Sequence, residues 1–274
     1  MFGLKSLQIL ALVAAMTAPA VFADVDTNAT AAEPVFGELL VNKLTAYPIA
    51  NRMFAEAETI WSSKGWYVIS NSSGILNEGK PVSGVFAPAS VDITRATGVV
   101  NAPAQKLFDY LITPIGYQLI DPASNPDDYY KPPLESYNTF LWRGFGHTDK
   151  KRLEAARVEA NIPGVKLREF VVLNAIDANT RLFVSKSVQH KGDPGCSIYG
   201  PASCNAISTD PVRALNTFAV QVEPLAGDAN KCVVQLINYA DYIAPEISAA
   251  VMKVLTTDYL PQMLGRMQAA FASS

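Results

Sequence analysis

Histidine is nearly missing from this sequence: 274 residues contain only His147 and His190. That leaves little from which to build a histidine metal site or a nucleophile–base pair. Charge is scarce too, at 17% of residues, and 22 basic against 25 acidic side chains give a net −3. Without a basic excess, a general nucleic-acid binder is excluded. Beyond the N-terminus no uninterrupted apolar run reaches about 18 residues, so no later transmembrane helix is expected. No GxSxG elbow, P-loop, HExxH pair or calcium-loop ligand run occurs. Gly144-Phe-Gly146 is followed by His147-Thr-Asp149 where a nucleotide loop needs a third glycine. Asp127-Asp128 reads as a solvated acidic turn, and no metal or cofactor is expected. What is abundant is apolar residues, 49% of the chain, enough for one domain with a sizeable core.

Residues 1–23 carry Lys5, then the apolar run Leu7–Ala15, then Val21-Phe22-Ala23. That is the pattern of a secretory signal peptide, so the chain is expected to be secreted or to enter the lumen of the secretory pathway. Residues 24–45, opening rich in Ala, Thr and acid, read as a flexible lead-in, and 46–274 as the folded domain. In an oxidising compartment disulfides persist. Cys196 and Cys204 flank the Gly/Pro/Ser loop SIYGPAS and are expected to bridge, leaving Cys232, inside the run CVVQLI, as a buried thiol.

Pro48 opens a helical pattern with Ile49, Met53, Ala57, Ile60 and Trp61 on one face, ending at Gly65. Strand-like runs follow at 66–70, 83–87 and 93–100. A helix capped by Asn101, with Pro103 in its first turn, turns Leu107, Phe108 and Leu111 inward. Residues 114–137 read as a connecting segment. From 138 the pattern is antiparallel, with six candidate strands at 138–146, 152–160, 167–175, 181–189, 212–224 and 230–242. Pro245 starts a long helix to about Ala272 whose broad apolar side includes Val251, Leu255, Met263, Leu264 and Met267. The expected class is α+β, an antiparallel sheet covered by a long C-terminal helix.

Several stretches resemble, in order, the strands of the START family, the steroidogenic-acute-regulatory-related lipid-transfer domains. LREFVV at 167–172 is similar to that family's Arg-Asp-Phe-Val strand, and SKSVQH at 185–190 to the strand after it. PVRALN at 211–216 is similar to its Val/Ile-Arg-Ala step, and Val222–Gly227 to its hairpin turn. Ala244-Pro245 leads into the final helix, and Gly98–Leu111 resembles the strand and helix of the family's first half. The likeness spans roughly residues 46–272. It implies a helix-grip fold, a curved antiparallel sheet wrapped around the C-terminal helix and enclosing one internal apolar cavity. It further implies a lipid ligand such as a sterol or phospholipid, transient contact with a membrane surface, and no catalysis. A monomer is expected. The competing readings are a cyclase-like enzyme of the same superfamily and a ligand store or sensor that does not transfer.

Strand alternation puts Arg168, Phe170, Val172 and Asn174 on one face of their strand, and the resemblance makes that face the inner one. Glu159 is the expected partner of Arg168 if the hairpin turns about Pro163-Gly164, with Glu154 as the alternative. In sterol-binding members of the family the partnering acid sits at a place that falls here near Asn138 or Thr139. Asn216, Phe218 and Val220, with Val234, Leu236 and Asn238 on the last strand, complete the expected ligand-facing set. Met263 and Met267 supply a mobile helix surface over it. Ile162 and Val165, apolar at a loop tip beside Lys166, are the expected gate.

Overall fold

The computed structural model describes residues 39–83, 90–120, 135–136, 153–160, 167–190, 212–242 and 254–272. In chain order its elements are β1 (Leu39–Val41), α1 (Ala46–Ser62), β2 (Tyr67–Ser72), β3 (Ile75–Ser83) and β4 (Ser90–Val100). Then come α2 (Ala104–Leu111), α3 (Pro114–Ile120), β5 (Glu135–Ser136), β6 (Leu153–Ala160), β7 (Arg168–Asp177) and β8 (Leu182–His190). The last part holds β9 (Val212–Arg213), β10 (Leu215–Leu225), β11 (Asp228–Asp241), a π-helical turn at Val254–Asp258, and α4 (Tyr259–Ala270). The sheet runs β2-β3-β4-β11-β10-β8-β7-β6-β5, all antiparallel, while β1 joins β8 and β9 joins β7 in parallel.

The central strands are buried on both faces, which explains why their sequences read as near-continuous apolar runs. On the outer face Val171, Leu173, Val184, Ala219, Ile237 and Tyr239 pack against Ile49, Met53, Ala57 and Ile60 of α1. On the inner face Ala96, Val220, Val222, Val234 and Leu236 pack against α2 and against Leu260, Met263, Leu264 and Met267 of α4. α4 can lie close because Gly98 has no side chain: a Cβ there would stand 2.8 Å from Leu264 Cδ2 and 3.2 Å from the Gly74 carbonyl. The helix is also pinned at its ends. Asn77 Nδ2 donates to the Thr257 carbonyl (2.7 Å) at the π-helical turn. Arg266 donates to the carbonyls of Leu119 (3.0 Å) and Ile120 (3.1 Å), capping the C-terminal end of α3.

Two charged contacts fix α1. Arg95 donates to the Trp61 carbonyl (2.6 Å) and to Glu78 (2.7 Å) while its guanidinium lies over the Trp66 ring at 4.4 Å. Glu56 of α1 forms a fully buried ion pair with Lys186 of β8, and its other oxygen accepts from Arg52 Nε (2.8 Å). Burial outweighs the carboxylate beside it and holds the Lys186 ammonium below the ordinary lysine range.

Several expectations need correction. β3 covers Ile75–Ser83, of which only Ser83 was expected in a strand, because Asn77, Glu78, Gly79 and Pro81 mask its alternation. The run expected at 83–87 falls, beyond Ser83, outside the described residues. The N-cap position of α2 is Pro103 and not Asn101. Residues 114–120, read as connecting chain, are helical, and Leu39–Val41 of the lead-in forms a strand. The run 212–224 is broken at Ala214, whose N–H turns to the Glu169 carbonyl (2.8 Å). The strand expected at 138–146 and residues 245–253 of the expected long helix lie outside the described residues. Among the described residues no helix is long and apolar enough to cross a membrane.

Two outcomes test this packing. Lys186→Met alone is expected to lower unfolding free energy by about 3–5 kcal/mol, because Glu56 is left charged and buried. Adding Glu56→Leu should recover most of that loss, and urea unfolding of both variants reads it. Gly98→Ala should destabilise by roughly 1–3 kcal/mol through displacement of Leu264; an unchanged midpoint would refute the close approach of α4.

Candidate ligand-binding face

The expected site residues sort by strand register into rows that cross the inner face. One row joins Ile176, Phe183, Val220, Leu236 and Ala96 by direct cross-strand pairing. It is wholly apolar, and it belongs to the cluster that α2 and α4 cover. Val234, Met263 and Met267 lie in the same cluster and are fully buried. Their packing is that of side chains filling a sheet–helix interface.

The next row, two residues along each strand, is different. It reads Glu154, Asn174, Ser185, Phe218, Asn238 and Thr94 across β6, β7, β8, β10, β11 and β4. Phe218 is the sole apolar member, and it meets Phe183 of the first row edge-on at 6.2 Å. A third row holds Val172 and Ser187, and the Asn216 N–H donates to Ser187 Oγ (2.8 Å). Phe170 and Val172 form a small apolar cluster with Ala214, flanked by Ala156 and Tyr242 and separate from the one under α4. Phe170 meets the Tyr242 ring edge-on at 5.8 Å.

The two faces of the same strands are closed unequally. At mid-sheet the outer-face residues Leu173, Val184, Ala219 and Ile237 have no exposure. Their inner-face neighbours Ser185, Phe218 and Asn238 keep 7, 6 and 5%, and Phe170 keeps 8%. Asn174 and Asn216 are partly exposed as well.

Arg168 is fully buried, but its expected partner is not opposite it. The register places Ala160 across from Arg168, and Glu159 across from Glu169. The β6–β7 pairing is thus one residue away from the expected register, which changes which side chains face each other. Glu154, the alternative, pairs with Asn174. Arg168 Nε donates instead to the Tyr242 carbonyl (2.8 Å), tying β7 to the end of β11. On the opposite face Glu169 takes Arg157 Nε at 2.6 Å and Arg213 Nη2 at 3.4 Å. Sequence reading missed that buried cluster; its signal was an acid alternating with Val171 and Leu173 on a face otherwise apolar.

Cys232 is free and buried, as expected, and burial pushes its thiol up to about 12, which leaves no thiolate for chemistry. His190 is buried at the end of β8, paired in register with Val41 of β1. Ile162, Val165, Lys166, Cys196 and Cys204 lie outside the described residues, as do His147 and Asp127-Asp128. Among the described residues no group of three or more His, Cys, Asp or Glu side chains could hold a metal ion.

No family model matches the sequence, and no curated protein does. Solved structures do. Human StAR-related lipid transfer protein 5 is similar over 84% of this chain and 98% of its own, at 14% identity and a TM-score of 0.52. Human STARD10 is similar over 80% of this chain and 78% of its own, at 16% identity and a TM-score of 0.48. The di-domain aromatase/cyclase BexL covers 65% of this chain and 45% of its own, at 12% identity and a TM-score of 0.35. At such identities a likeness speaks of backbone architecture, and the first of these extends over nearly the whole of its partner. A mostly antiparallel sheet with one helix on its outer face and a C-terminal helix on its inner face is thus a START-like fold.

Proposed function

We propose that this protein binds one lipid on the inner face of its sheet and transfers it between membranes without chemical change. The unequal closure of the two faces carries the reading. Ser185, Phe218 and Asn238, paired with strands on both sides, keep 5–7% exposure, and Phe170 keeps 8%, where their outer-face neighbours Leu173, Val184, Ala219 and Ile237 keep none. An elongated apolar molecule resting on Phe170, Val172 and Phe218 would bury its surface at roughly 25 cal/mol per Å². Few directed contacts are then needed to hold it. The START-like fold agrees with this use. The N-terminal residues 1–23 add export, so the carrier would work outside the cytoplasm, with Cys196 and Cys204 bridged.

The cyclase-like alternative would need a titratable pair on the inner face. Arg168 with a nearby glutamate is its candidate, and the register places neither Glu159 nor Glu154 across from Arg168.

Protein purified from its native host should carry a lipid that native mass spectrometry identifies, and delipidated protein should move it between liposomes. Ser185→Phe is expected to cut lipid loading several-fold with little change in thermal midpoint, because the ring would occupy the ligand's space. In a solid core the same substitution would destabilise by roughly 1–3 kcal/mol, and that result would overturn the reading.

The turn bearing Ile162 and Val165 is the proposed membrane contact. Two apolar side chains beside Lys166 give a weak, reversible hold on a bilayer surface. Ile162→Asp with Val165→Asp should slow transfer between liposomes at least several-fold and leave equilibrium lipid affinity unchanged. Wild-type rates over both anionic and neutral liposomes would show that the ligand enters elsewhere.

A further inference from the structure

We infer that Asn71 carries an N-linked glycan and that this glycan shields the open β2 edge of the sheet. The inference rests on the export proposed for the chain and is independent of what the inner face binds. Asn71-Ser72-Ser73 is an Asn-x-Ser acceptor triplet; Asn28-Ala29-Thr30, of the same type, lies outside the described residues. A glycan must still fit once the chain has folded, so its asparagine has to finish on the surface. Asn71, Ser72 and Ser73 are all exposed. Asn71 and Ser72 end β2, paired with Leu76 and Ile75 of β3, and Ser73 begins the two-residue turn between the strands. Ser73 and Gly74 both take positive φ, 54° and 73°, as a tight hairpin turn requires. The triplet therefore stands at a hairpin tip on the outermost strand, with no described strand beyond it. The residues in line with Asn71 across the sheet, Leu76 and Thr97, are only partly buried, so that part of the face has room for a sugar chain.

An unpaired strand edge invites a second chain to join the sheet, and proteins guard against that with short strands, charges or bulges. The two edges of this sheet are guarded unequally. β5 is two residues long and holds Glu135. β2 is six residues long, carries no charge, and exposes Tyr67 (45%) and Val68 (61%). A register irregularity between Val68 and Ser70 interrupts its first half, while Ser70, Asn71 and Ser72 pair regularly with β3. A bulky, hydrated glycan on Asn71 guards the half that this bulge leaves regular. Its attachment needs a co-reactant of one class, an oligosaccharide linked to a lipid diphosphate. A bond forms from Asn71 Nδ2 to the sugar's anomeric carbon as that carbon's bond to the diphosphate oxygen breaks. The lipid diphosphate leaves with the bonding pair, and the amide gives one proton to the transferring enzyme.

Protein purified from its native host and treated with peptide N-glycosidase in heavy-oxygen water should return Asn71 as labelled aspartate in peptide mass spectrometry. An unmodified Asn71 in protein that has lost the run Leu7–Ala15 overturns the inference and leaves the lipid-binding reading intact. Protein that retains that run overturns export and the inference together. Ser73→Gly, made in the same host, removes the acceptor hydroxyl and suits the positive φ of the turn. It should abolish the label at Asn71, and a label that survives it overturns the assignment. At equal concentration this glycan-free variant should sediment at about twice the protein mass of the glycosylated chain, by pairing β2 with β2 of a second copy. Adding Val68→Lys should return it to the monomer by charging the edge. Equal protein masses with and without the glycan, or a dimer that persists with Val68→Lys, overturn the shielding role.

Discussion

The sheet of this protein must satisfy two partners at once, because its central strands are covered on both faces. A strand in that position has no solvent side on which to place its polar residues. Polar side chains there are matched inside the protein, reach solvent at the strand ends, or stay buried without a partner, as Thr217 Oγ1 and Gln189 Nε2 do. The outer face shows the first solution. Lys186 meets Glu56, Glu169 meets Arg157 and Arg213, and the residues between them are closed over by α1. On the inner face Asn174, Ser185 and Asn238 stand in line instead, a row of neutral polar side chains.

That division assigns different work to the two helices. α1 is fastened by a buried ion pair and by Arg95 under its C-terminal end, and such contacts resist sliding because a displaced charge would be stranded in the core. α4 is fastened at its ends, through Asn77 at the π-helical turn and Arg266 at α3, while its middle rests on Met263, Leu264 and Met267 against aliphatic side chains. Dispersion contacts of that kind can be exchanged for others without leaving a charge unpaired, and methionine tolerates such exchange best.

Much of this was legible in the sequence. β6, β7, β8, β10 and β11 lie where period-2 alternation put them, and the inner set Phe170, Val172, Phe218, Val220, Val234 and Leu236 does share one face. What was not legible depends on distance or on one residue of register. Glu56 and Lys186 are 130 positions apart, and nothing local marks either as the other's counter-ion. β3 hides behind Gly79 and Pro81, residues that lower strand propensity yet fit once β2 and β4 flank them. The partner of Arg168 turned on one residue of β6–β7 register, and no propensity resolves that. Glu154 fell to Asn174 for the same reason.

The register that broke the Arg168–Glu159 pair also made the polar row. Had the β6–β7 pairing taken the expected register, Glu159 would face Arg168 and Glu154 would move off Asn174. The inner face would then hold an internal ion pair and a row ending in an amide. With the observed register its acid stands at the end of a line of neutral groups, and its arginine is tied to the main chain of Tyr242. Charge is thus spent on holding strands together, while the other groups of that row are neutral. A lipid carrier of the kind proposed would gain from that arrangement. A buried charge pair with the ligand would have to be separated and rehydrated at each release, at a cost of several kcal/mol. A neutral hydrogen bond exchanges for one to water with a net difference near 1 kcal/mol. Holding by apolar area and orienting by a few neutral bonds would let the proposed face take up a lipid and give it back.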